Sequence, residues 1–243
     1  MIRLILIVIT VVGFLILSIP ILAVEWIVGK FAPRARDISS LRIVQFIFKL
    51  ILLLTGSRIT VIGEAHVPKD TPVLYIGNHR SLFDTVLTYA RCPGLTGYVS
   101  KDSMKKIPIL SIWMERLYCL FLNRTDIREG MKTILKGIEQ IKNGISMCIF
   151  PEGTRSTEPE MLPFKEGSFK MAEKTGCPII PMAITNTADI FENHFPWIRP
   201  ANVILEYGEP ICIKELAKEE RKFLGTYTRN IIQDMLKEHQ KML

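Results

Sequence analysis

The residues with the clearest catalytic chemistry lie in the stretch LYIGNHRSLFD, from Leu74 to Asp84. Its apolar start, ended by Gly77, is typical of a buried strand and its turn. In open α/β sheets, chemistry takes place just beyond the carboxyl ends of such strands. His79 and Asp84 are five residues apart, which on one continuous helix would place them on different faces. We therefore expect His79 in the turn and Asp84 in the first turn of the next helix, where an acidic side chain is favoured.

This arrangement predicts a general base. A neutral histidine can take a proton from a hydroxyl group while a carboxylate fixes its tautomer and stabilises the imidazolium. A structural loop histidine followed by an aspartate that only caps a helix would have the same sequence. The pair alone therefore does not distinguish a general base from this structural role. A covalent mechanism through Ser81 is a further alternative, but the nucleophile-elbow pattern G-x-S-x-G is missing around it.

A second stretch with reactive side chains, FPEGTRS, runs from Phe150 to Ser156 at the end of the apolar run ISMCIF. It offers an arginine, two hydroxyl groups and unhindered backbone amides at Gly153, which suit a phosphate monoester dianion. The P-loop pattern GxxxxGK[ST] is absent. We expect Glu152 to fix Arg155 or a loop amide rather than to act as an acid.

Together, NHRSLFD and FPEGTRS resemble the glycerolipid acyltransferases, in particular the 1-acyl-glycerol-3-phosphate acyltransferases, over roughly residues 62–207. That family pairs an N-H-x-x-x-x-D block with an F-P-E-G-T-R-S block about 70 residues further on, as here. The resemblance implies transfer of an acyl chain from acyl-CoA or acyl-carrier protein to the sn-2 hydroxyl of lysophosphatidic acid, giving phosphatidic acid. His79 and Asp84 would be the catalytic residues, and no cofactor would be required.

The resemblance also implies a phosphate-binding set and an acyl-donor site. The phosphate of the acceptor would be held by these residues: Lys101, Arg124, Glu152, Gly153, Thr154 and Arg155. Lys105 and Lys106 are weaker candidates beside Lys101. The stretch FLNR departs from the family's F-I-D-R, because Asn123 stands where aspartate is usual. Ile180 and Pro181, in a stretch similar to the family's fourth block, would line the acyl-donor site.

Composition and charge narrow the choice of partners. The length of 243 residues suits one domain with a small appendage. A net charge of +7 and a pI near 9.2 fit a nucleic-acid binder or a protein lying on anionic lipid. The 48% hydrophobic content, which is concentrated at the N-terminus, favours a lipid partner. The sequence lacks the basic stripe interleaved with aromatic residues that is typical of nucleic-acid binding. The five cysteines are far apart, which predicts core thiols in a reducing compartment and no metal site.

The N-terminal residues 1–56 are expected to form a two-helix membrane anchor ahead of an acyltransferase domain at residues 57–243. Leu4–Val24 is 21 residues without a charge, long enough to cross a bilayer, and the basic residues after it place the following chain in the cytoplasm of a bacterial-type cell. A cleaved signal peptide is the alternative, and a kink at Pro20 would allow a hairpin that dips in without crossing. Leu41–Gly56 carries one narrow polar stripe (Arg42, Gln45, Lys49), so it either lies in the membrane interface or covers the domain.

The remaining pattern predicts an α/β fold with a mixed, largely parallel sheet flanked by helices. Strands are expected at RITVIG, VLYIG, Gly97–Lys101, Arg116–Leu122, ISMCIF, CPIIPMAI and NVILEYGEP. Helices are expected after Asp84, through Trp113, over Met131–Ile141, over Ser168–Thr175 and over Ile213–Leu243. RITVIG and VLYIG should be neighbours, and Pro181 inside a strand suggests an edge or a bulge. The aromatic-rich segment 186–200 suggests a lid or a membrane-contacting loop.

The sequence is also compatible with two further functions. The acceptor could be glycerol-3-phosphate, another lysophospholipid or an aminolipid. Alternatively, the chain could be a non-catalytic membrane lipid-binding protein, which the apolar N-terminus and net charge fit equally well. The His79–Asp84 pair argues against a pure binder, since binding needs the basic groups but not a base.

Overall fold

The structure is a computed structural model and describes residues 1–158 and 160–243. The strands are β1 (Arg58–Ile62), β2 (Leu74–Gly77), β3 (Thr96–Lys101), β4 (Leu120–Leu122), β5 (Ser146–Ile149), β6 (Ile179–Thr185) and β7 (Asn202–Tyr207). The α-helices are α1 (Ile2–Phe31), α2 (Pro33–Thr55), α3 (Leu82–Tyr89), α4 (Leu110–Arg116), α5 (Ile127–Lys142), α6 (Lys170–Thr175), α7 (Lys218–Lys222) and α8 (Leu224–Met242). This alternation confirms the expected α/β class.

The strands form one sheet in the order β1-β7-β6-β2-β5-β3-β4. The five strands from β6 to β4 are parallel to one another, whereas β7 pairs antiparallel with β6 and parallel with β1. The prediction that RITVIG and VLYIG are neighbours was wrong. β1 lies at the sheet edge beside β7, and β2 lies in the centre between β6 and β5. Strand order is set by contacts distant in sequence, so a short link between two strands does not fix it.

Side chains from alternate positions of the strands fill two cores. Tyr75 and Met182 point to the core that also contains α2 and α3, whereas Leu74 and Ala183 point to the core beneath α5, α6 and α8. Because adjacent residues of a strand face opposite sides, both faces of the central strands are apolar, as buried parallel strands require.

Several element boundaries differ from the sequence-based expectations. α2 begins at Pro33 instead of Leu41, since proline suits the first helical position and the charged residues after it are tolerated there. The expected strand from Arg116 is helix up to that residue, and only Leu120–Leu122 is extended. The C-terminal helix is interrupted before Lys218 and again at Phe223.

Pro181 lies in an internal strand and not at an edge. The pairing beside it shifts by one residue, but the extra residue lies in the partner segment between Tyr207 and Ile211 and not in the strand of Pro181. Three steps of β6 separate Ile179 from Met182, whereas four steps separate their partners Ile211 and Tyr207.

α1 and α2 form an antiparallel hairpin that is tied to the rest of the protein by polar contacts. Trp113 Nε1 donates to Ser18 Oγ at 2.9 Å, and Arg116 Nη1 donates to Glu25 Oε2 at 2.9 Å. The hydroxyl of Ser40 donates to the same Glu25 oxygen at 2.7 Å. α1 therefore contacts the domain at Ser18 and Glu25, in the second half of the helix.

We predict that Arg116→Ala destabilises the protein strongly. The side chains of Glu25 and Arg116 are only 6% and 12% exposed, so removing the guanidinium leaves a buried carboxylate without its cation. The expected loss in unfolding free energy is about 3–5 kcal/mol, measured by denaturant unfolding in detergent. Glu25→Gln added to Arg116→Ala should recover part of the loss, because a neutral amide costs less to bury.

Arg128→Ala on the exposed part of α5 is the matched control and should change stability by less than about 0.5 kcal/mol. If the Arg116→Ala and Arg128→Ala variants unfold at the same denaturant concentration, the ion pair does not hold the hairpin to the domain.

Candidate active site

The side chains singled out by sequence follow the carboxyl ends of neighbouring parallel strands. His79 follows β2, the FPEGTRS loop follows β5, Lys101 ends β3 and Arg124 follows β4. These strands are adjacent in the order β2-β5-β3-β4, so all four lie along one edge of the sheet. Since neighbouring strands are about 4.8 Å apart, the FPEGTRS loop lies nearest to His79 and Arg124 lies farthest.

His79 and Asp84 form a direct hydrogen bond. His79 Nδ1 lies 2.8 Å from Asp84 Oδ2, with the histidine in the turn and the aspartate in the first turn of α3. With Nδ1–H donating to the carboxylate, the neutral ring carries its lone pair on Nε2. The side chain of His79 is 19% exposed, and that of Asp84 only 1%. The ring of Phe150 stacks on the imidazole, with centroids 4.3 Å apart, and fixes its plane.

Asp84 also organises the backbone around it. Its Oδ2 accepts the backbone N–H groups of Arg80 and Ser81 at 2.7 and 2.8 Å. Its Oδ1 accepts the hydroxyl of Thr187, which follows β6. Both carboxylate oxygens are therefore occupied on the protein side, and only the histidine ring is presented outward. The sequence-based interpretation missed Thr187, because nothing in its local pattern marks it.

Ser81 serves as the N-cap of α3. Its hydroxyl accepts the N–H of Phe83 at 3.0 Å and donates to Glu192 Oε2 at 2.6 Å, and the residue is fully buried. In this capping box Asp84 is the partner at the third helical position. A hydroxyl that is buried and bonded in this way is poorly placed to act as a nucleophile.

Glu152 binds loop amides and does not contact Arg155. Its Oε1 accepts the N–H of His79 at 2.7 Å, and its Oε2 accepts the N–H of Leu162 at 2.9 Å. Of the two sequence-based alternatives, the loop amide is the one present. Burial raises the pKa of Glu152, and its two backbone hydrogen bonds oppose that rise. The carboxylate thus joins the FPEGTRS loop to the histidine turn and is not directed at an anion.

Gly153 and Ser156 shape the loop. Gly153 has φ +77°, a conformation that side chains disfavour, and a Cβ there would lie 2.6 Å from Lys165 Nζ. Lys165 is therefore a basic group beside the loop that the sequence-based interpretation did not single out. The N–H of Ser156 donates to the carbonyl of His79 at 2.8 Å, which returns the loop to the histidine turn.

Arg155 and Glu192 form an ion pair. Arg155 Nη1 lies 3.0 Å from Glu192 Oε1, and the same oxygen accepts the N–H of Leu82 at 2.8 Å. Glu192 lies in the aromatic-rich segment expected to be a lid or membrane contact. It connects that segment to the first turn of α3 and to the FPEGTRS loop. Phe195 and Trp197 of the same segment are 74% and 43% exposed.

Arg124 and Asn123 have separate environments. Burial lowers the pKa of Arg124, and the carboxylate of Asp102 opposes that change. Asn123 Oδ1 accepts from Thr125 N, Thr125 Oγ1 and Asp126 N at 2.9, 2.8 and 3.1 Å. The amide oxygen thus closes a turn ahead of α5. Replacement of the family's aspartate by asparagine keeps the acceptor that this turn needs.

The other residues predicted for the site form no hydrogen bond with the His79–Asp84 pair in the part of the chain that the structure describes. Lys101, Lys105, Lys106 and Thr154 are exposed at the same sheet edge. Ile180 and Pro181 are both buried in β6, where successive side chains face opposite sides of the sheet. At most one of these two can line a channel for an acyl chain.

Comparison with known proteins identifies a family whose model matches this chain. A family model described as acyltransferase matches residues 58–185. A 1-acyl-sn-glycerol-3-phosphate acyltransferase of Saccharomyces cerevisiae is 31% identical over 79% of this chain and 64% of its own length. One of Borreliella burgdorferi is 33% identical over 76% of this chain and 74% of its own length. The crystal structure of the 1-acyl-sn-glycerophosphate acyltransferase PlsC of Thermotoga maritima is similar with a TM-score of 0.81 and 25% identity, over 98% of this chain and 97% of that one.

We predict that Thr187→Val destabilises the protein by about 1–3 kcal/mol. Valine has nearly the same shape but leaves Asp84 Oδ1 buried without its donor. Thr187→Ser is the matched control, since it keeps the hydroxyl and should lower the free energy of unfolding by less. Denaturant unfolding measures both variants. Equal stability of the valine and serine variants would show that the hydroxyl does not support the carboxylate.

Proposed function

The chain belongs to the acyltransferase family, and we propose that it transfers an acyl chain from an acyl thioester to the sn-2 hydroxyl of lysophosphatidic acid, which forms phosphatidic acid. The observation that carries this proposal is the 2.8 Å contact between His79 Nδ1 and a fully engaged Asp84, beside the FPEGTRS loop. The activity named for the Saccharomyces and Borreliella relatives supports this choice of acceptor and product.

In the proposed reaction, His79 acts as a general base. The sn-2 hydroxyl donates its proton to Nε2 while its oxygen attacks the thioester carbonyl carbon. When the tetrahedral intermediate collapses, the carbon–sulfur bond breaks and the proton on Nε2 passes to the departing thiolate. Asp84 remains a carboxylate throughout and stabilises the imidazolium. The donor is an acyl-CoA or an acyl-carrier protein.

We propose that the acceptor phosphate binds between the FPEGTRS loop and the basic residues at the same edge. Arg155 belongs to the loop that lies beside the His79 turn, because β5 adjoins β2. Lys165 lies over Gly153, and Lys101 and Arg124 lie farther along the edge. A phosphate held there fixes the adjacent hydroxyl at the base, so binding energy contributes to positioning. Glu152 contributes indirectly, through the amides of His79 and Leu162.

A direct attack fits the site better than a covalent route through Ser81. Ser81 is buried, and its hydroxyl is committed to Phe83 and Glu192. The imidazole of His79 is bonded to Asp84 and not to Ser81.

We propose that the protein works on the cytoplasmic face of a membrane, with α1 and α2 lying in one leaflet. Both helices are long and apolar enough to cross a bilayer by length and composition. However, Trp113 and Arg116 contact α1 at Ser18 and Glu25. A fully transmembrane α1 would carry these domain residues into the bilayer. A shallow hairpin leaves them at the interface and brings the site level with the head groups of its lipid acceptor.

The experiment that tests the reaction is acyl transfer from coenzyme A and carrier-protein thioesters to lysophosphatidic acid in detergent micelles. His79→Ala should lower turnover by roughly 10²–10⁴-fold, the contribution of a general base. His66→Ala is the matched control, because the His66 ring bonds to the Tyr207 carbonyl and pairs with Glu209 near the other edge of the sheet. Ser81→Ala should keep most of the turnover and lose some stability as a helix cap.

A His79→Ala variant with wild-type turnover would refute the role of His79 as general base. An inactive but folded Ser81→Ala variant would refute direct attack. Absence of wild-type transfer with either donor would refute this acceptor.

We predict that Arg155→Ala raises the KM for lysophosphatidic acid by about 10-fold or more, since a bond to a charged group contributes about 1.5–3 kcal/mol. The KM for a 1-acylglycerol, which lacks the phosphate, should be unchanged by the same substitution. Lys174→Ala, on the exposed part of α6, controls for loss of net charge. Equal changes of KM for both acceptors would mean that Arg155 does not recognise the phosphate.

A further inference from the structure

A cavity of about 860 Å³ lies beneath α2, between this helix and the face of the sheet on the α3 side. Its walls come from α2, α3 and strands β1, β2, β3, β6 and β7. Among the described residues, none of the proposed catalytic or phosphate-binding residues lines it. The volume falls within the range of sites for small ligands. The cavity is therefore a second site, separate from the sheet edge that carries His79.

Two buried tyrosines present hydroxyl groups to this cavity. Tyr75 and Tyr207 are each 3% exposed, and both rings line the cavity. Within the described parts of the chain neither hydroxyl has a hydrogen-bond partner, whereas the Tyr98 hydroxyl donates to Thr88 at 2.9 Å. Burial raises the pKa of both unpartnered phenols, so they remain protonated donors. Neither hydroxyl oxygen is among the fully enclosed, unpartnered polar atoms of the described residues, so both reach the open space of the cavity and can donate to a ligand there.

The mouth of the cavity is strongly basic. Its exposed or half-exposed charged residues are Arg42, Lys49, Lys69, Arg91 and Glu64. Glu64 is the one carboxylate among the described lining residues, and it pairs with Arg91 at 3.2 Å. The other three cations remain for an anion. The buried donors and the basic mouth together match the chemistry of a phosphate ester.

The polar stripe of α2 belongs to this cavity and not to the bilayer interface alone. Gln45 is buried and donates to the carbonyls of Tyr89 and Cys92 at 3.3 and 2.8 Å. Arg42 Nη1 donates to the amide oxygen of Gln45 at 2.8 Å, which orders its guanidinium at the mouth.

The mouth opens beside exposed apolar surface of α2. Phe46 and Leu53 lie three residues before and four residues after Lys49 on the same face of α2, and they are 67% and 75% exposed. A head group entering between Lys49 and the sheet would leave its chains against these two side chains. This continuity favours a lipid over a soluble phosphate ester.

We propose that the cavity beneath α2 binds the phosphate-containing head group of an anionic phospholipid, with its acyl chains outside along Phe46 and Leu53. Arg42, Lys49 and Lys69 surround the phosphate at the mouth, and the hydroxyls of Tyr75 and Tyr207 donate to head-group oxygens farther in. Such a lipid would fix α2 against the sheet.

The test is thermal unfolding of the full chain in neutral detergent with added dihexanoyl phosphatidylglycerol, which is neither acceptor nor product of the proposed reaction. Saturating lipid should raise the Tm by roughly 4 °C or more, because only the folded state offers the site. Dihexanoyl phosphatidylcholine, which has no net charge, should have a much smaller effect.

Two sets of variants locate the binding. Tyr75→Phe with Tyr207→Phe should raise the lipid concentration for half-maximal stabilisation by about tenfold, which corresponds to about 1.4 kcal/mol. Tyr227→Phe, on the other side of the sheet, should not change it. Lys49→Glu with Lys69→Glu should weaken binding more than Lys136→Glu with Lys174→Glu, which alters net charge equally on the α5 and α6 side.

Stabilisation that survives both sets of cavity variants but disappears in Arg155→Ala would overturn the proposal, because the lipid would then bind only at the reaction site. Equal stabilisation by glycerol-1-phosphate would overturn the assignment to a lipid. Loss of stabilisation in the cavity variants and its retention in Arg155→Ala would support the proposal.

Discussion

The carboxylate of Asp84 is the point on which the site depends. It accepts hydrogen bonds from His79, from the backbone of Arg80 and Ser81, and from Thr187. One side chain therefore fixes the imidazole tautomer, the first turn of α3 and the chain leaving β6. A buried carboxylate is tolerated only when it is bonded in this way. The same bonds that make it stable hold the imidazole in one orientation.

The FPEGTRS loop is held to this centre by a second carboxylate. Glu152 bonds the amide of His79, and Ser156 returns to the His79 carbonyl. Turn and loop are thus positioned by contacts to the backbone, whereas the Arg155 side chain is 44% exposed. Its contact with Glu192 orients it and also joins it to the segment that carries Phe195 and Trp197. An acceptor phosphate that binds Arg155 would compete with Glu192, so occupation of the site and the position of that segment are physically linked.

The sequence predicted the His79–Asp84 geometry because both residues lie within one strand–turn–helix unit, where spacing constrains space. It predicted the largely parallel sheet from the apolar strand pattern, and the family from two blocks in order. It did not predict Thr187, Glu192 or Lys165, which reach the site from distant parts of the chain. It also misplaced β1, because the β1–β7 pairing depends on contacts about 140 residues apart. The polar stripe of α2 was recognised, but only the structure shows that it faces a cavity.

The measurement closest to the central claim is the protonation state of His79, read from ¹⁵N chemical shifts of the ring nitrogens in detergent-solubilised protein labelled at its four histidines. His79→Gln identifies the signal. At neutral pH the hydrogen bond to Asp84 should give a proton on Nδ1 and an unprotonated Nε2, and Asp84→Asn should disturb that preference. An Nε2-protonated ring in the wild type, or a tautomer unchanged by Asp84→Asn, would contradict a base held ready by Asp84.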